Sequence, residues 1–194
     1  MTDTNTSGTK KLGISGEVGS FSEEAGLLYS KLAGIQTSLD FLVDMEGVLS
    51  AVSSGRVDLG IFPVVNCRGG LVTMAFESMG KYLFTWIDQF TLNVKQCLLA
   101  RPGMSLSQIK SVASHPQGFA QCELYLQKEL KQVDRIVWED TAKAARDLAN
   151  GILNPKTAVI ASKRAAQIYG LEVLAENIQD VQLNLTTFII IGRR

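Results

Sequence analysis

The amino-acid sequence predicts an α/β protein built on largely parallel sheets. Two observations carry that expectation. Short apolar runs rich in β-branched residues alternate along the chain with amphipathic stretches of helical period. The passage from run to stretch falls repeatedly on capping or turn chemistry, at Gly16–Ser22, Pro63–Gly70, Ser114–Gln117 and Asp140–Thr141. In open α/β sheets ligands lie beyond the carboxyl ends of the strands, where such junctions converge. Helix N-termini gathered there carry free N–H groups and partial positive charge, which favours a small anionic ligand.

The elements follow in order. Residues 1–9 form a polar tail expected to be disordered. Lys10–Ser15 is a first strand, and Ser20-Phe21-Ser22-Glu23 fits a capping box that opens a helix carrying Ala25, Leu28 and Leu32 on one face. The loop between them has no GxGxxG and no Lys-Ser/Thr pair, so it is not the usual nucleotide-binding turn. Leu39–Val43 is a second strand, Asp44 caps a helix that Gly55 ends, and Val57–Phe62 is a third strand. Pro63–Gly70 is expected as a loop ahead of a helix at Leu71–Met79. Leu83–Trp86 and Thr91–Leu99 are two further strands, and Ser105–Ile109 is a short helical turn.

Ser111–Cys122, SVASHPQGFAQC, organises the second half. Ser111–Ala113 end a strand, Ser114 occupies the expected N-cap, and Pro116 falls in the first helical turn, where its missing N–H is no loss. Phe119, Cys122, Leu126 and Leu130 then predict one amphipathic helix. Ser114, His115, Gln117 and Gln121 therefore cluster at a helix start. These residues by themselves leave two readings open, a capping serine beside a surface histidine or an anion site. Arg135–Trp138 is a strand, Asp140-Thr141 opens a helix, and Thr157–Ala161 is a strand whose following helix is capped by Ser162. Glu172–Ala175 is a short strand, Asn177–Asp180 a turn, and Thr186–Gly192 a last strand, apolar enough to be buried on both faces.

Composition excludes several classes. The 194 residues hold 46% hydrophobic and 20% charged residues, and the 19 basic and 19 acidic side chains balance. With no basic block, nucleic acid is not an expected partner, and no apolar run is long enough to span a bilayer. One histidine and three separated cysteines without CxxC do not make a zinc site. Cys67 and Cys122 are expected as packed thiols, in keeping with a cytoplasmic location.

Seven blocks in order carry a family resemblance: GEVGSFSEEA (16–25), PVVNCRGGLV (63–72), SHPQGFAQC (114–122), DTAKAA (140–145), IASKRAAQIYGL (160–171), NIQD (177–180) and NLTTF (184–188). On these the chain resembles the catalytic domain of prephenate dehydratases from about residue 11 onward. The resemblance implies a two-lobed fold like that of type II periplasmic binding proteins, with the active site in the cleft between lobes. It implies one lobe from residues 10–88 and 175–194, and another from 89–174. It further implies conversion of prephenate to phenylpyruvate with loss of water and carbon dioxide, without metal or organic cofactor. Ser114, Gln117, Thr141 and Thr186 are the implied catalytic residues, with Thr186 acting on the leaving hydroxyl; Ser20, Ser22, Asn66, Gln121, Asn184 and Phe188 are the implied substrate contacts. The expected partner is prephenate alone, and a homodimer is left open.

Three positions depart from the family pattern. Val65 stands where a glutamate is usual, Cys67 where a serine is usual, and Thr187 where the arginine of a Thr-Arg-Phe motif is usual. A threonine cannot supply that arginine's charge or bidentate fork. Arg68 is the candidate to restore the charge as a substrate contact. The chain stops at Arg194, where the family usually continues into a regulatory ACT domain, so insensitivity to phenylalanine is expected. The departures also keep open a related non-aromatising prephenate decarboxylase. A non-catalytic small-anion binding protein is the alternative of another class, since function lives in the site rather than the fold.

Overall fold

A computed structural model describes residues 8–194; of the expected tail, residues 1–7 lie outside the described residues, and Gly8 and Thr9 are exposed and without regular structure. The chain builds two sheets. β1 (Lys10–Ser15) leads to α1 (Phe21–Leu32), β2 (Thr37–Leu42), α2 (Met45–Ser54), β3 (Leu59–Asn66), the two-residue β4 (Gly70–Leu71), α3 (Thr73–Met79) and β5 (Phe84–Asn93). It then crosses to β6 (Cys97–Ala100), β7 (Ser111–Ser114), α4 (Pro116–Gln121), α5 (Glu123–Glu129), β8 (Asp134–Val137), α6 (Thr141–Ala149), β9 (Thr157–Ala161), α7 (Lys163–Tyr169) and β10 (Glu172–Ala175). A return crossing delivers β11 (Leu185–Arg193) to the first sheet. The orders are β2-β1-β3-β11-β5, with β4 hydrogen-bonded to β3, and β10-β6-β9-β7-β8.

The α/β class and the two-lobed architecture hold, but the sheets are mixed rather than largely parallel. β1 is parallel to β2 and β3, whereas β11 runs antiparallel between β3 and β5. In the other sheet β7 is parallel to β8 and β9, while β6 is antiparallel to β9 and β10. Apart from β4, which turns back on β3 through a tight loop, the antiparallel strands are those that enter or leave a lobe directly, where no crossover helix imposes a parallel return.

The lobe boundaries shift for the same reason. β5 stays with the first sheet through Asn93, beyond the expected break at 88/89, and Ala175 pairs with Leu98 in the second sheet. The expected strand Leu83–Trp86 and the first part of the expected strand Thr91–Leu99 are one strand, β5, while Cys97–Leu99 belongs to β6 of the other sheet. β5 is an edge strand, so its polar side chains reach solvent, and the pairing shifts between Ile190 and Ile191 to pass over Ile87. β3 likewise runs through Pro63 to Asn66, where a loop was expected. Its register against β11 shifts so that Phe188 faces Pro63 and Thr187 faces Val65, a bulge that tolerates a residue without an N–H.

Both faces of each sheet are buried. Ile189 and Ile191 of β11 pack with Val48, Leu49 and Val52 of α2, while Phe188 and Ile190 pack with Leu12, Ile14 and Ala25 on the α1 face. In the second lobe Leu148, Val159, Ala161 and Ala165 form one core, and Leu98, Ile160, Phe119 and Leu126 the other. The single helix expected over Phe119–Leu130 is two, broken at Cys122 (φ −120, ψ 22). Asp180 accounts for the break: its N–H donates to Gln121 O at 2.7 Å and its carboxylate accepts from Leu124 N–H at 3.0 Å, taking up backbone groups at the break.

Candidate active site

The cleft between the lobes encloses about 450 Å³. Local capping chemistry sets its walls. Ser20 caps α1, accepting from Glu23 N–H at 3.2 Å, and Glu23 reaches back to Gly19 N–H at 2.7 Å, one residue off a strict capping box. Asp140 caps α6 by accepting from Ala142 and Lys143 N–H at 2.7 and 2.9 Å, which sets Thr141 at the rim. α4 is capped by His115, whose Nδ1 accepts from Gln117 N–H at 3.2 Å.

Of the expected residues, Ser20, Ser22, Asn66, Gln117, Gln121, Thr141, Thr186 and Phe188 line the cleft. Ser114 does not. It is the last residue of β7, fully buried, and its Oγ donates to Ile160 O at 3.1 Å, so it is neither N-cap nor cleft residue. Gly118 packs over it: a Cβ there would stand 2.4 Å from Ser114 Oγ. Arg68 also lies outside the cleft lining; its guanidinium pairs with the buried Asp180 carboxylate at 2.8 Å, which commits the charge to the return crossing. Thr187 and Val65 face each other in the β11–β3 register, neither lines the cleft, and Thr187 Oγ1 lies 3.4 Å from Thr91 Oγ1. Strand alternation puts Thr186 and Phe188 on the cleft side and Thr187 on the other. Cys67 is exposed rather than packed, and Cys97 and Cys122 are buried, with desolvation pushing both thiols up.

Asn184 is fully buried and belongs to a chain of amides beneath the cleft. Asn66 Oδ1 accepts from the backbone N–H groups of Arg68 and Gly69 at 3.0 and 2.8 Å. Asn66 Nδ2 donates to Asn184 Oδ1 at 3.0 Å and to Thr186 Oγ1 at 2.9 Å. Asn184 Nδ2 donates to Gln121 Oε1 at 2.9 Å, and Gln96 Nε2 donates to the same oxygen at 2.9 Å. Peptide N–H groups cannot turn over, so the two at Arg68 and Gly69 fix which way every amide in the chain points. Thr186 Oγ1 must accept from Asn66, and its own proton has no acceptor among the described residues except in the cleft. Gln96 is among the cleft residues that sequence reasoning missed, with Ser15, Thr73 and Glu139; Lys95-Gln96-Cys97 carries only a strand signal.

A second set of contacts joins the lobes on the other side of the cleft. Glu17 pairs with Arg146, and Glu23 with Arg164 at 2.7 Å. Ser162 Oγ donates to Gly19 O at 2.7 Å, and Tyr169 Oη to Val18 O at 2.8 Å. Gly19 (φ 86) is required here, since a Cβ would sit 3.1 Å from Ala165 Cα. Burial alone would raise the Glu23 carboxyl, but the Arg164 hydrogen bond, Gly19 N–H and the Arg164 charge hold it below the ordinary value. Desolvation wins at Glu24, which is raised.

Two α/β lobes crossed twice by the chain, with a hydroxyl- and amide-lined cleft between them, define the fold class of type II periplasmic binding proteins. A periplasmic substrate-binding protein of an ABC transporter from Coxiella burnetii shares this fold at TM-score 0.53 and 16% identity, over 96% of this chain and 85% of that one. Within this class the chain belongs to the prephenate dehydratase family, which residues 12–194 match. It is similar to arogenate dehydratase 1 of Petunia hybrida, 36% identical over 186 residues, which is 95% of this chain and 42% of that protein. The chain thus spans less than half the length of this relative. The prephenate dehydratase of Arthrobacter aurescens, solved with L-Phe, superposes at TM-score 0.84 with 28% identity, covering 95% of this chain and 60% of that one.

Proposed function

We propose that the chain is a dehydratase that converts prephenate, or its amino counterpart arogenate, to the aromatic product with loss of water and carbon dioxide. The observation that carries this reading is the Thr186 hydroxyl, held by Asn66 as a donor into the cleft. The electron pair of the departing carboxylate's C–C bond enters the ring as carbon dioxide leaves. The ring's C–O bond breaks at the opposite carbon, and the hydroxyl takes one proton and leaves as water. Thr186 hydrogen-bonds to that oxygen as negative charge grows on it, and solvent supplies the net proton, since a threonine hydroxyl is too weak an acid to give up its own. The substrate's carboxylates find the first-turn N–H groups of α1, where Ser20 caps only Glu23, and the Gln121 Nε2 group left free by its doubly accepting oxygen.

The substitutions at 65 and 187 raised the prospect of a non-aromatising decarboxylation, but both side chains stand away from the cleft lining, which supports dehydration. The reading includes a cytoplasmic setting, in keeping with free thiols at all three cysteines. The test is product identification by NMR after incubation with prephenate and with arogenate, against an enzyme-free control. Phenylpyruvate or phenylalanine is expected. A product that keeps the ring hydroxyl would return the decarboxylase, and binding without turnover would return the non-catalytic protein.

A further inference from the structure

Gln96 lies on the first crossing between lobes, lines the cleft, and is 4% exposed. Its backbone N–H donates to Gln179 Oε1 at 2.9 Å and its Nε2 to Gln121 Oε1 at 2.9 Å. Its Oε1 is buried without a partner among the described residues. Turning this amide over would set oxygen against Gln121 Oε1, and the chain of amides running back to the Arg68 and Gly69 N–H groups forbids a compensating reversal. A buried carbonyl without a donor is costly. Within the amide chain the cleft-lining groups Thr186 Oγ1 and Gln121 Nε2 are left as donors, and Gln96 Oε1 is its acceptor without a partner. Among the described residues no lysine or arginine lines the cleft, and its two carboxylates are engaged elsewhere, Glu139 with Lys143 and Asp140 with the N–H groups of Ala142 and Lys143. Such a wall matches a ligand that carries its own cation better than a pure polyanion.

We propose that Gln96 determines substrate specificity, its Oε1 accepting a hydrogen bond from an amino group on the side chain of the ring substrate. This rests on the dehydratase reading above. Thr186 stands at one end of the amide chain and Gln96 at the other, and the substrate carries its leaving hydroxyl and its three-carbon side chain on opposite ring carbons. An ammonium on that side chain donates to Oε1. The ketone of the keto substrate sets oxygen against oxygen and leaves both unpaired.

The experiment measures kcat/KM and calorimetric Kd for arogenate and for prephenate, on the whole chain and on Gln96→Met. The wild type is expected to favour arogenate, and Gln96→Met to shrink that preference roughly ten- to hundredfold, chiefly through arogenate, as one charge-assisted hydrogen bond is lost. A wild type that favours prephenate, or treats the two alike, overturns the proposal whether or not the variant folds. An equal loss on both substrates also overturns it, because a merely structural glutamine would act that way. If neither is turned over but the arogenate preference in Kd persists and depends on Gln96, the dehydratase reading fails and the Gln96 assignment stands. If neither binds, both fail.

Discussion

Thr186 and Ser114 show how much a hydroxyl's role depends on its acceptor. Thr186 Oγ1 is tied up as an acceptor by Asn66, so its proton is available to the cleft, while Ser114 spends its proton on Ile160 O. Thr186→Val keeps the shape and strand propensity of the side chain and deletes the donor. Steady-state kinetics should show a fall in kcat of about 10²–10⁴-fold with a near-native melting temperature, the usual worth of a positioned proton donor. Wild-type turnover in a folded Thr186→Val would leave the residue a packed strand position. Ser20 and Asp140 were legible in the sequence because a cap bonds to N–H groups two or three residues away. Ser114 and Gln96 were not, since their partners lie 46 and 25 residues distant and no local pattern encodes them.

At the level of elements, helix starts and strand cores were readable where one local rule acts, as at β1, α2 and β9. The reading failed where a distant segment intervenes, as at the α4–α5 break set by Asp180 or the Pro63 bulge matched to β11. The family departures at 65 and 187 are one feature on this scale: a glutamate and an arginine at those positions would face each other across β3 and β11, and here a valine and a threonine do. A double-mutant cycle tests this. Val65→Glu alone should destabilise the half-buried pair, and adding Thr187→Arg should recover about 0.2–1 kcal/mol of coupling in denaturant melts, the range for an opposed cross-strand charge pair. Turnover should not respond to Thr187→Arg. A large rise or change of product in that single variant would return position 187 to the chemistry.

For the whole molecule, the decisive question is what keeps the lobes in register. The contacts from the 16–23 segment to α6 and α7 bridge them opposite the amide chain, so the cleft is bounded by bonds on two sides. The Glu23–Arg164 pair makes part of this dependent on pH. Glu23 is held below its ordinary value of 4.5 in the fold, so it binds fewer protons there than in the unfolded chain. Its stabilisation is therefore complete above that value and is lost as pH falls through the lowered one. Arg164→Met leaves the Glu23 carboxylate with Gly19 N–H alone and should cost about 1–3 kcal/mol at neutral pH. That deficit should narrow in melts taken below the ordinary glutamate range. A deficit that is flat with pH would remove Glu23 from the account.

The position of β11 has a consequence for how the protein comes into being. Residues 185–193 fill the middle of the first sheet, between β3 and β5, and bond across more than a hundred residues of intervening chain to β3. A ribosome reads from the N-terminus, so β1 to β5 emerge early yet wait, with a gap where their inner strand belongs. The second sheet is contiguous, from Cys97 to Ala175, and is fully delivered before Leu185 is joined. The lobe that is started first is thus finished last. Pulsed hydrogen exchange during refolding should find amides of β7 and β9 protected before those of β3, and while β3 waits its unpaired edge is the part of the nascent chain most in need of a chaperone.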